Sequence, residues 1–527
     1  MTIQPILIDG QWRQARAAGT FRAENPALRA PLPDEYPISR WQDCDEALAV
    51  ADRAFAILRA LPGERLAEFL EAYAARLETR QGELVEMAQA ETGLPRSPRL
   101  ARVEMPRTTN QLRQAAAAAR EGSWALSTID TRANIRSCLA PLGPVWVFGP
   151  NNFPLAFGSI SGGDFAAAVA AGNPVIAKAN SSHPGTTRIC AEEAEAARQA
   201  TGLPSGTVQL IYRTGHADGE RAVADPRTGA TGYTGSRAAG LKLKAAADAA
   251  GKAIYLELSS VNPVVVLPGA LNERGPQLAE EFTSSCLMGT GQFCTNPGLV
   301  LLVRGEATEA FVRGIAERFQ AAPVGTLLSR SVESSLQAGL KTIRDAGATV
   351  VTGDTPGGGQ GYSHANTLLS VPGSRFLEHA EALQTEAFGN GALLVIADDL
   401  EQLERVIERL EGSLTGCVYT DTGGADDAAY DRIAPRLRQQ VGRLLNDKMP
   451  TGVAVSPAMN HGGPYPATGH PGFTAVGIPA SLRRFAALHC YDNVRPHRLP
   501  PCLQDKNPNA AMWRLIDGRW TQGDVGG

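Results

Sequence analysis

The stretch VWVFGPNNFPLAFGSISGGDFAAAVAAGNPVIAK, residues 145–178, decides the fold. It contains an apolar run at 145–148, a helical segment at 164–171 and a second apolar run at 175–177. Two short strands joined through a helix form a βαβ unit, in which the strands are parallel and the crossover is right-handed. Ligands bind outside the carboxyl ends of such strands, so the residues just after each run are the candidates for function.

The same alternation continues after residue 178. The first group of elements is extended by a helix near 186–200, a strand at 208–211 and a helix near 236–250. A second group follows, with strands at 254–258, 264–266 and 299–303 and a helix near 277–288. The alternation predicts two α/β domains.

The remaining regions frame these two groups. Apolar residues recur every three or four positions over 45–61 and 64–92, which predicts two scaffold helices, with Gly93 at the C′ position of the second. Glycines and a proline predict a loop at 352–361, and after Pro500 no periodic pattern marks a core element. A chain of 527 residues exceeds the size of a single core, so two or three domains are expected.

Composition and charge exclude several classes of function. The chain is 43% hydrophobic and 20% charged with a formal net charge of -4, which argues against a polyanion-binding surface and therefore against nucleic acid. The first residues, MTIQPILIDGQW, lack the basic region followed by a long apolar region that is expected of a signal peptide, and no stretch approaches the roughly 20 apolar residues that span a bilayer. We expect a cytoplasmic protein that does not bind membranes.

The eight cysteines and eight histidines are scattered. No C-x-x-C pair, H-E-x-x-H motif or Cys/His cluster at metal-ligand spacing is present, so neither disulfides nor a bound metal is expected. One cysteine stands out: Cys294 lies in GTGQFCTNPG, residues 289–298, between a predicted helix and a predicted strand. A loop cysteine can reach a substrate, although a free cysteine more often serves as a small buried apolar residue.

Three motifs follow one another along the chain: GPNNFP at 149–154, LELSS at 256–260 and the Cys294 segment. Together they resemble the aldehyde dehydrogenase superfamily. The resemblance runs from about residue 8 to about residue 499 and is closest to the branch of α-ketoglutaric semialdehyde and fatty-aldehyde dehydrogenases. It also includes YTGS at 233–236, EAFG at 386–389 and MNHGGPYP at 459–466.

The resemblance implies an α/β fold with three parts. A Rossmann-like cofactor domain is expected at 1–122 and 141–256 with part of 457–481, and an α/β catalytic domain at 257–456. A small β oligomerisation flap is expected at 123–140 and 482–499, followed by a tail at 500–527. Pairing of flap edges between subunits implies a homodimer or homotetramer.

The implied activity is NAD(P)+-dependent oxidation of an aldehyde to a carboxylic acid through a thiohemiacetal and a thioester. Cys294 would be the nucleophile, Asn152 would stabilise the oxyanion together with the backbone N–H of Cys294, and Glu257 would be the base that activates water. Read alone, Asn152 is a turn residue and Glu257 a paired strand glutamate. Ser259 and Ser260 stand where the family usually has two glycines, which leaves the nicotinamide placement open.

The resemblance also implies the coenzyme contacts. Lys178 would bind the adenosine ribose, Gly235 and Ser236 the pyrophosphate, and Glu386 and Phe388 the nicotinamide ribose and its surroundings. Strongly NAD-preferring relatives often carry glutamate where this chain has Ser181, and a carboxylate there would repel a 2′-phosphate. We therefore expect NADP to be accepted and slightly favoured over NAD, with Lys178 and Arg213 near the phosphate.

Two kinds of substrate remain open. Arg113 could bind the distal carboxylate of α-ketoglutaric semialdehyde, or it could be a helix-surface arginine. Phe153, Phe293 and Phe473 could line an apolar tunnel for fatty or aromatic aldehydes, or belong to the core. A non-catalytic nucleotide-binding protein and a relative that passes the acyl group to coenzyme A are further alternatives, and the glutamate at position 257 favours hydrolysis over the latter.

Overall fold

The computed structural model describes residues 3–526 and is built around two seven-stranded sheets. The strands of the first sheet, in spatial order, are β14 (Ala253–Glu257), β13 (Ala230–Thr234), β9 (Val145–Phe148), β10 (Val175–Lys178), β11 (Val208–Ile211), β1 (Ile6–Ile8) and β2 (Gln11–Arg13). The first five strands are parallel, and β1 and β2 extend the sheet antiparallel. This is the Rossmann-like sheet that residues 145–178 predict.

The second sheet is also mainly parallel. Its order is β17 (Thr349–Thr352), β18 (Thr367–Pro372), β19 (Gly391–Ala397), β16 (Leu299–Val303), β15 (Pro263–Val266), β20 (Ser413–Tyr419) and β21 (Val441–Asn446), with only β17 antiparallel. On β15, Val265 packs into one apolar cluster, while Val264 and Val266 pack into a second. Alternate side chains point to opposite faces of a strand, so this apolar run is explained by a sheet that is covered on both faces.

A five-stranded sheet corrects one expectation about the carboxyl-terminal region. Its order is β22 (Ala486–Asp492), β8 (Ile135–Pro141), β7 (Thr128–Asp130), β23 (Arg514–Ile516) and β24 (Arg519–Thr521). The expectation that nothing after Pro500 contributes to a core is wrong, because β23 pairs with β7 and Leu503 is fully buried. Three-residue strands are too short to show a periodic pattern. The domain boundaries given above stay predictions.

The helices cover these sheets, and none within residues 3–526 is long and apolar enough to span a membrane. They are α1 (Trp41–Leu58), α2 (Gly63–Thr79), α3 (Gln81–Thr92), α4 (Met105–Glu121), α5 (Gly163–Ala170), α6 (Pro184–Thr201), α7 (His216–Ala224), α8 (Arg237–Ala249), α9 (Pro268–Leu287), α10 (Glu306–Ala321), α11 (Arg330–Asp345), α12 (Gly373–Glu378), α13 (Ala380–Leu383), α14 (Leu400–Glu408) and α15 (Asp427–Gln440). Two small sheets are formed by β3 (Ala17–Phe21), β6 (Tyr36–Ser39) and β12 (Arg213–Thr214), and by β4 (Glu24–Asn25) and β5 (Ala30–Pro31).

Two predicted helices differ from the structure. The helix expected over 64–92 is divided into α2 and α3 at Arg80, whose φ of -99° and ψ of 16° interrupt the helical geometry. The helix expected from 277 begins earlier, in α9, and is kinked at Arg274 just before Pro276. Gly93 ends α3 with a φ of 70°, the left-handed conformation that a glycine at C′ provides.

Candidate active site

A tightly held loop presents Cys294 between α9 and β16. The turn before it contains Gly289, Thr290 and Gly291 with φ values of 59°, 60° and 67°. Only glycine fits at 291, since a Cβ there would lie 2.0 Å from the carbonyl oxygen of Gly389. From the other side, the Nδ2 of Asn262 donates to the carbonyl oxygens of Cys294 and Asn296, at 2.9 Å each. The thiol is therefore carried on a preorganised backbone.

The environment of the Cys294 sulfur disfavours the thiolate. Burial is the main reason that the pKa of this thiol lies well above its ordinary value, and the charge of Glu257 raises it further. The positive charge of Arg107 acts in the opposite direction. Before it can attack an aldehyde, the sulfur therefore needs a base to take its proton.

His461 is positioned to act as that base, because its ring contacts both the sulfur and the carboxylate. Its Nε2 lies 3.4 Å from Sγ of Cys294 and 3.0 Å from Oε1 of Glu257, and the His461 and Glu257 side chains are each 1% exposed. The other carboxylate oxygen of Glu257, Oε2, is buried without a hydrogen-bond partner among residues 3–526. His461 lies in the MNHGGPYP motif at 459–466, from which no role for the histidine is predicted.

A single nitrogen between an acid and a thiol restricts the proton positions. An unprotonated Nε2 accepts a hydrogen bond from the thiol or from a protonated Glu257, whereas a protonated Nε2 donates to the carboxylate or the thiolate. Transfer of the thiol proton to Nε2 creates an imidazolium 3.0 Å from Glu257. The arrangement can therefore move a proton between sulfur, imidazole and carboxylate without a rearrangement of the backbone.

The same three side chains form a set of possible metal donors. The sulfur, nitrogen and carboxylate oxygen lie within 4.8 Å of one another, although the cysteine, histidine and glutamate are far apart in the sequence. One cysteine, one histidine and one carboxylate are a donor set that zinc accepts. Without a metal the sulfur is free, and the same arrangement then allows proton transfer and nucleophilic attack.

Asn152 lies four residues after the end of β9 and faces the Cys294 loop. It is 5% exposed, and its Nδ2 donates to the carbonyl oxygen of Gln292 at 3.0 Å. Its backbone carbonyl accepts a hydrogen bond from Nη2 of Arg99 at 2.9 Å, which holds the backbone of Asn152 in place. An amide nitrogen has two hydrogens, so a second donor is available beside the Cys294 loop.

An aromatic cluster adjoins these residues. Phe153 packs against Phe293 and against Phe157, with 5.3 Å between ring centroids in each pair. Phe157, for which sequence alone predicts no role, also contacts the His461 ring, with 5.7 Å between ring centroids. Phe473 belongs elsewhere, since it packs under the guanidinium of Arg484. The structure thus brings together two of the three predicted phenylalanines.

Arg113 does not reach this cluster. Both of its terminal nitrogens donate to the Glu78 carboxylate, at 2.6 and 2.8 Å, and the two side chains are 44% and 43% exposed. An exposed bidentate ion pair of this kind is a surface feature of packed helices. The structure therefore supports the helix-surface alternative over a carboxylate-binding role for Arg113.

The expected coenzyme residues lie at the carboxyl ends of the first sheet. Burial lowers the pKa of Lys178 to about 8, and the nearby charge of Arg213 contributes to the lowering. Arg213 is exposed, with its guanidinium 5.7 Å from the Phe21 ring. No described residue accepts a hydrogen bond from the Lys178 ammonium, and Ser181 lies three positions later, in the loop that follows β10. Two adjacent cations without a carboxylate partner fit a phosphate-bearing ribose.

Gly235 and Ser236 differ in what they offer. The N–H of Gly235 donates to the carbonyl of Glu257 at 3.1 Å, so the expectation that it binds pyrophosphate is not supported. Ser236 precedes the first residue of α8, whose amino-terminal N–H groups and dipole fit an anionic group.

Glu386 accepts from the N–H of Ser260 at 3.1 Å and from the Ser259 hydroxyl, and burial raises its pKa to about 7. The two serines thus position the carboxylate that would hold the nicotinamide ribose. Phe388 and Glu386 line a cavity that also touches Phe293 in the catalytic loop. These residues fit a nicotinamide dinucleotide.

Comparison with known proteins agrees with this arrangement. The model of the aldehyde dehydrogenase family matches residues 12–463. The chain is 39% identical to an α-ketoglutaric semialdehyde dehydrogenase of Azospirillum brasilense, over 98% of this chain and 100% of that protein. It is 35% identical to one of Acinetobacter baylyi, over 98% of each.

Solved structures share the fold. An aldehyde dehydrogenase of Pseudomonas syringae in complex with NAD+ and octanal has a TM-score of 0.80 at 20% identity, covering 94% of this chain and 98% of that one. The chain belongs to the aldehyde dehydrogenase family. It is an enzyme that oxidises an aldehyde with a nicotinamide cofactor.

Proposed function

We propose that this enzyme oxidises α-ketoglutaric semialdehyde to the dicarboxylic acid, with Cys294 as the nucleophile. The observation that carries the catalytic part is the contact of a single nitrogen, Nε2 of His461, with both Cys294 and Glu257. The names of the two relatives from Azospirillum and Acinetobacter support the choice of aldehyde.

In the first half of the reaction, Nε2 of His461 takes the proton of Cys294 and the sulfur adds to the carbonyl carbon. The oxyanion of this thiohemiacetal accepts hydrogen bonds from Nδ2 of Asn152 and from the backbone N–H of Cys294. When bound, the nicotinamide supplies the acceptor for the hydride that leaves the former aldehyde carbon. The oxyanion reforms a carbonyl, and a thioester to Cys294 remains.

In the second half, a water molecule attacks the thioester. Glu257 takes the proton of that water, the carbon–sulfur bond breaks, and the sulfur of Cys294 regains a proton through Nε2. Glu257 is buried and in contact with the imidazole, which suits a base that acts within the closed site. A base in this position favours hydrolysis over transfer of the acyl group to coenzyme A.

We propose that NADP is accepted and slightly favoured over NAD. The support is the pair of cations Lys178 and Arg213 beside Ser181, a position without a carboxylate that would repel a 2′-phosphate. Ser236, Glu386 and Phe388 would contact the remaining parts of the dinucleotide.

We propose a cytoplasmic homodimer or homotetramer. The flap strand β22 is at the edge of its sheet, and Leu488 on it is 67% exposed, which suits pairing with a second subunit. A catalytic thiol must stay reduced, which suits the cytoplasm. A dilution series analysed by light scattering tests the assembly, and a monomer at all concentrations would contradict it.

A fatty or aromatic aldehyde is the second candidate substrate. The packed rings of Phe153, Phe157 and Phe293 favour it, because they give the approach to the thiol an apolar wall. The two candidate substrates differ in length and charge, whereas the chemistry at the Cys294 sulfur is the same for both.

The test is the absorbance of reduced nicotinamide with a panel of acidic, aliphatic and aromatic aldehydes, with NAD and NADP in parallel. We expect the highest kcat/KM for α-ketoglutaric semialdehyde and no activity in Cys294→Ala. A higher kcat/KM for octanal or benzaldehyde would replace the proposed substrate, and full activity in the variant would exclude Cys294 as nucleophile.

A further inference from the structure

Arg107, rather than Arg113, is the arginine of α4 that faces the reaction site. The charges of Cys294 and Glu257 both act on its guanidinium, and reciprocally Arg107 lowers the pKa of the Cys294 thiol. The guanidinium carbon lies 5.0 Å from the Phe157 ring centroid. Phe157 in turn contacts His461, so a short chain of contacts links Arg107 to the thiol.

The hydrogen-bond capacity of Arg107 is largely unused. Nη1 donates to the carbonyl oxygen of Val453 at 2.6 Å, whereas Nε and Nη2 are buried without a partner among residues 3–526. No carboxylate of the described chain pairs with Arg107. A buried cation with unsatisfied donors is costly unless an anion completes the site, because the donors have lost their water.

Two neighbouring arginines have partners that Arg107 lacks. Arg99 forms an ion pair with Glu104, whose other oxygen accepts from the backbone N–H groups of Leu155 and Ala156. Arg443 has no carboxylate partner among residues 3–526, but its terminal nitrogens donate to the carbonyl oxygens of Pro450 and Gly452. Among the arginines that contact the aromatic cluster within residues 3–526, Arg107 is therefore the one without a carboxylate partner.

We propose that Arg107 binds the distal carboxylate of the aldehyde and thereby makes the enzyme selective for aldehydes that carry an acid at the far end. This inference rests on the proposed oxidation of an acidic aldehyde. The four carbon–carbon bonds between the aldehyde and carboxylate carbons of α-ketoglutaric semialdehyde, each about 1.5 Å long, separate them by about 5 Å when extended. Phe153 and Phe157 border the methylene groups, and the guanidinium fork meets the carboxylate.

The experiment compares matched pairs of aldehydes in the complete enzyme: glutaric semialdehyde against pentanal, succinic semialdehyde against butanal, and α-ketoglutaric semialdehyde beside them. In Arg107→Met, we expect the ratio of kcat/KM for acidic over neutral aldehydes to fall by about 10- to 100-fold. Arg102→Met, at an exposed position just before α4, is the matched control and keeps the wild-type ratio.

A second readout does not need turnover. Glutarate should protect the thiol of wild-type Cys294 from iodoacetamide, and half-protection should need about tenfold more glutarate in Arg107→Met. Removal of a buried cation without a partner should not lower the melting temperature. If Arg107→Met does not fold, Arg107→Gln keeps the polarity and is measured in the same way.

The outcomes separate this inference from the proposed function. If wild type prefers another acidic aldehyde and Arg107→Met loses that preference, the substrate is corrected and the role of Arg107 stands. If wild type prefers α-ketoglutaric semialdehyde and Arg107→Met keeps the preference, the role of Arg107 is overturned and the function stands. Loss of the preference in Arg113→Met instead, or no preference for acids in wild type, would also overturn it.

Discussion

The Nε2 atom of His461 lies 3.4 Å from the Sγ atom of Cys294, across 167 positions of sequence. The thiol is partly buried and its pKa is raised, so this imidazole is the group positioned to take its proton. The contact connects the first half of the reaction, in which sulfur attacks, to the glutamate that serves the second half.

Replacement of His461 by glutamine should impair acylation. Glutamine keeps a polar group of similar reach but cannot take the proton, and loss of a general base typically costs about 100-fold or more in rate. We expect kcat to fall by about 100-fold and the alkylation of Cys294 by iodoacetamide to slow as well. Stopped-flow absorbance and timed alkylation measure the two effects, and wild-type rates in both would contradict the role of the imidazole.

The raised pKa of Cys294 predicts a specific pH profile. Burial and Glu257 both favour the neutral thiol, so the rate of alkylation in the free enzyme should still be rising above pH 9. Glu257→Gln removes the negative charge and should shift the profile to lower pH, whereas Glu309→Gln on the exposed face of α10 should not. A plateau below pH 7 in wild type would instead indicate a preformed thiolate and imidazolium.

Coenzyme preference should depend on the two cations at the edge of the first sheet. Arg213→Ala should lower kcat/KM for NADP by about tenfold and leave kcat/KM for NAD unaffected. Ser181→Glu should also lower kcat/KM for NADP, because the carboxylate repels the 2′-phosphate. Lys242→Ala on the exposed face of α8 is the control. Equal kcat/KM for NADP in Arg213→Ala and wild type would remove Arg213 from the site.

The pH dependence of coenzyme binding follows from the lowered pKa of Lys178. A cation with a pKa near 8 is neutral at a pH where an ordinary lysine is charged, so binding of 2′,5′-ADP should weaken as pH rises above about 8. Calorimetric titration across this range measures the effect. Affinity that stays constant up to pH 10 would contradict it.

Asn262 should support both stability and activity. In Asn262→Ala, the carbonyls of Cys294 and Asn296 lose their donor, and the residue at φ 51° loses a side chain suited to that conformation. We expect a loss of about 2 to 4 kcal/mol in the free energy of unfolding, measured by urea denaturation, with lower kcat. An unchanged unfolding midpoint would show that the loop does not depend on this side chain.

The fold follows from sequence where patterns are long and regular. The apolar runs of β9 and β10 and the helix between them identify the first sheet, because buried parallel strands are continuously apolar. The family comparison confirms the class of enzyme. The break at Arg80 and the strands after Pro500 escape prediction, since a local change of backbone angle and three-residue strands leave no periodic signal.

The candidate site was only partly accessible from sequence. Sequence motifs identify Cys294, Glu257 and Asn152 as candidates. The contact of His461 with Cys294 and Glu257 depends on tertiary packing and leaves no signal in the sequence. The carboxylate-binding role proposed for Arg113 from sequence is proposed for Arg107 from the structure. Six residues of α-helix correspond to about 600° of rotation, so the two side chains face different directions. Without the packing of α4, sequence does not tell which arginine faces inward.

The most direct test of the account is to trap the covalent intermediate. In Glu257→Gln, we predict a rapid burst of reduced nicotinamide close to one equivalent per active site, followed by slow turnover, because the thioester forms but is hydrolysed slowly. Acid quench and peptide mass spectrometry should locate the acyl group on the peptide that contains Cys294. No burst and no adduct, or an adduct on another cysteine while turnover continues, would contradict the assignment of Cys294 and Glu257.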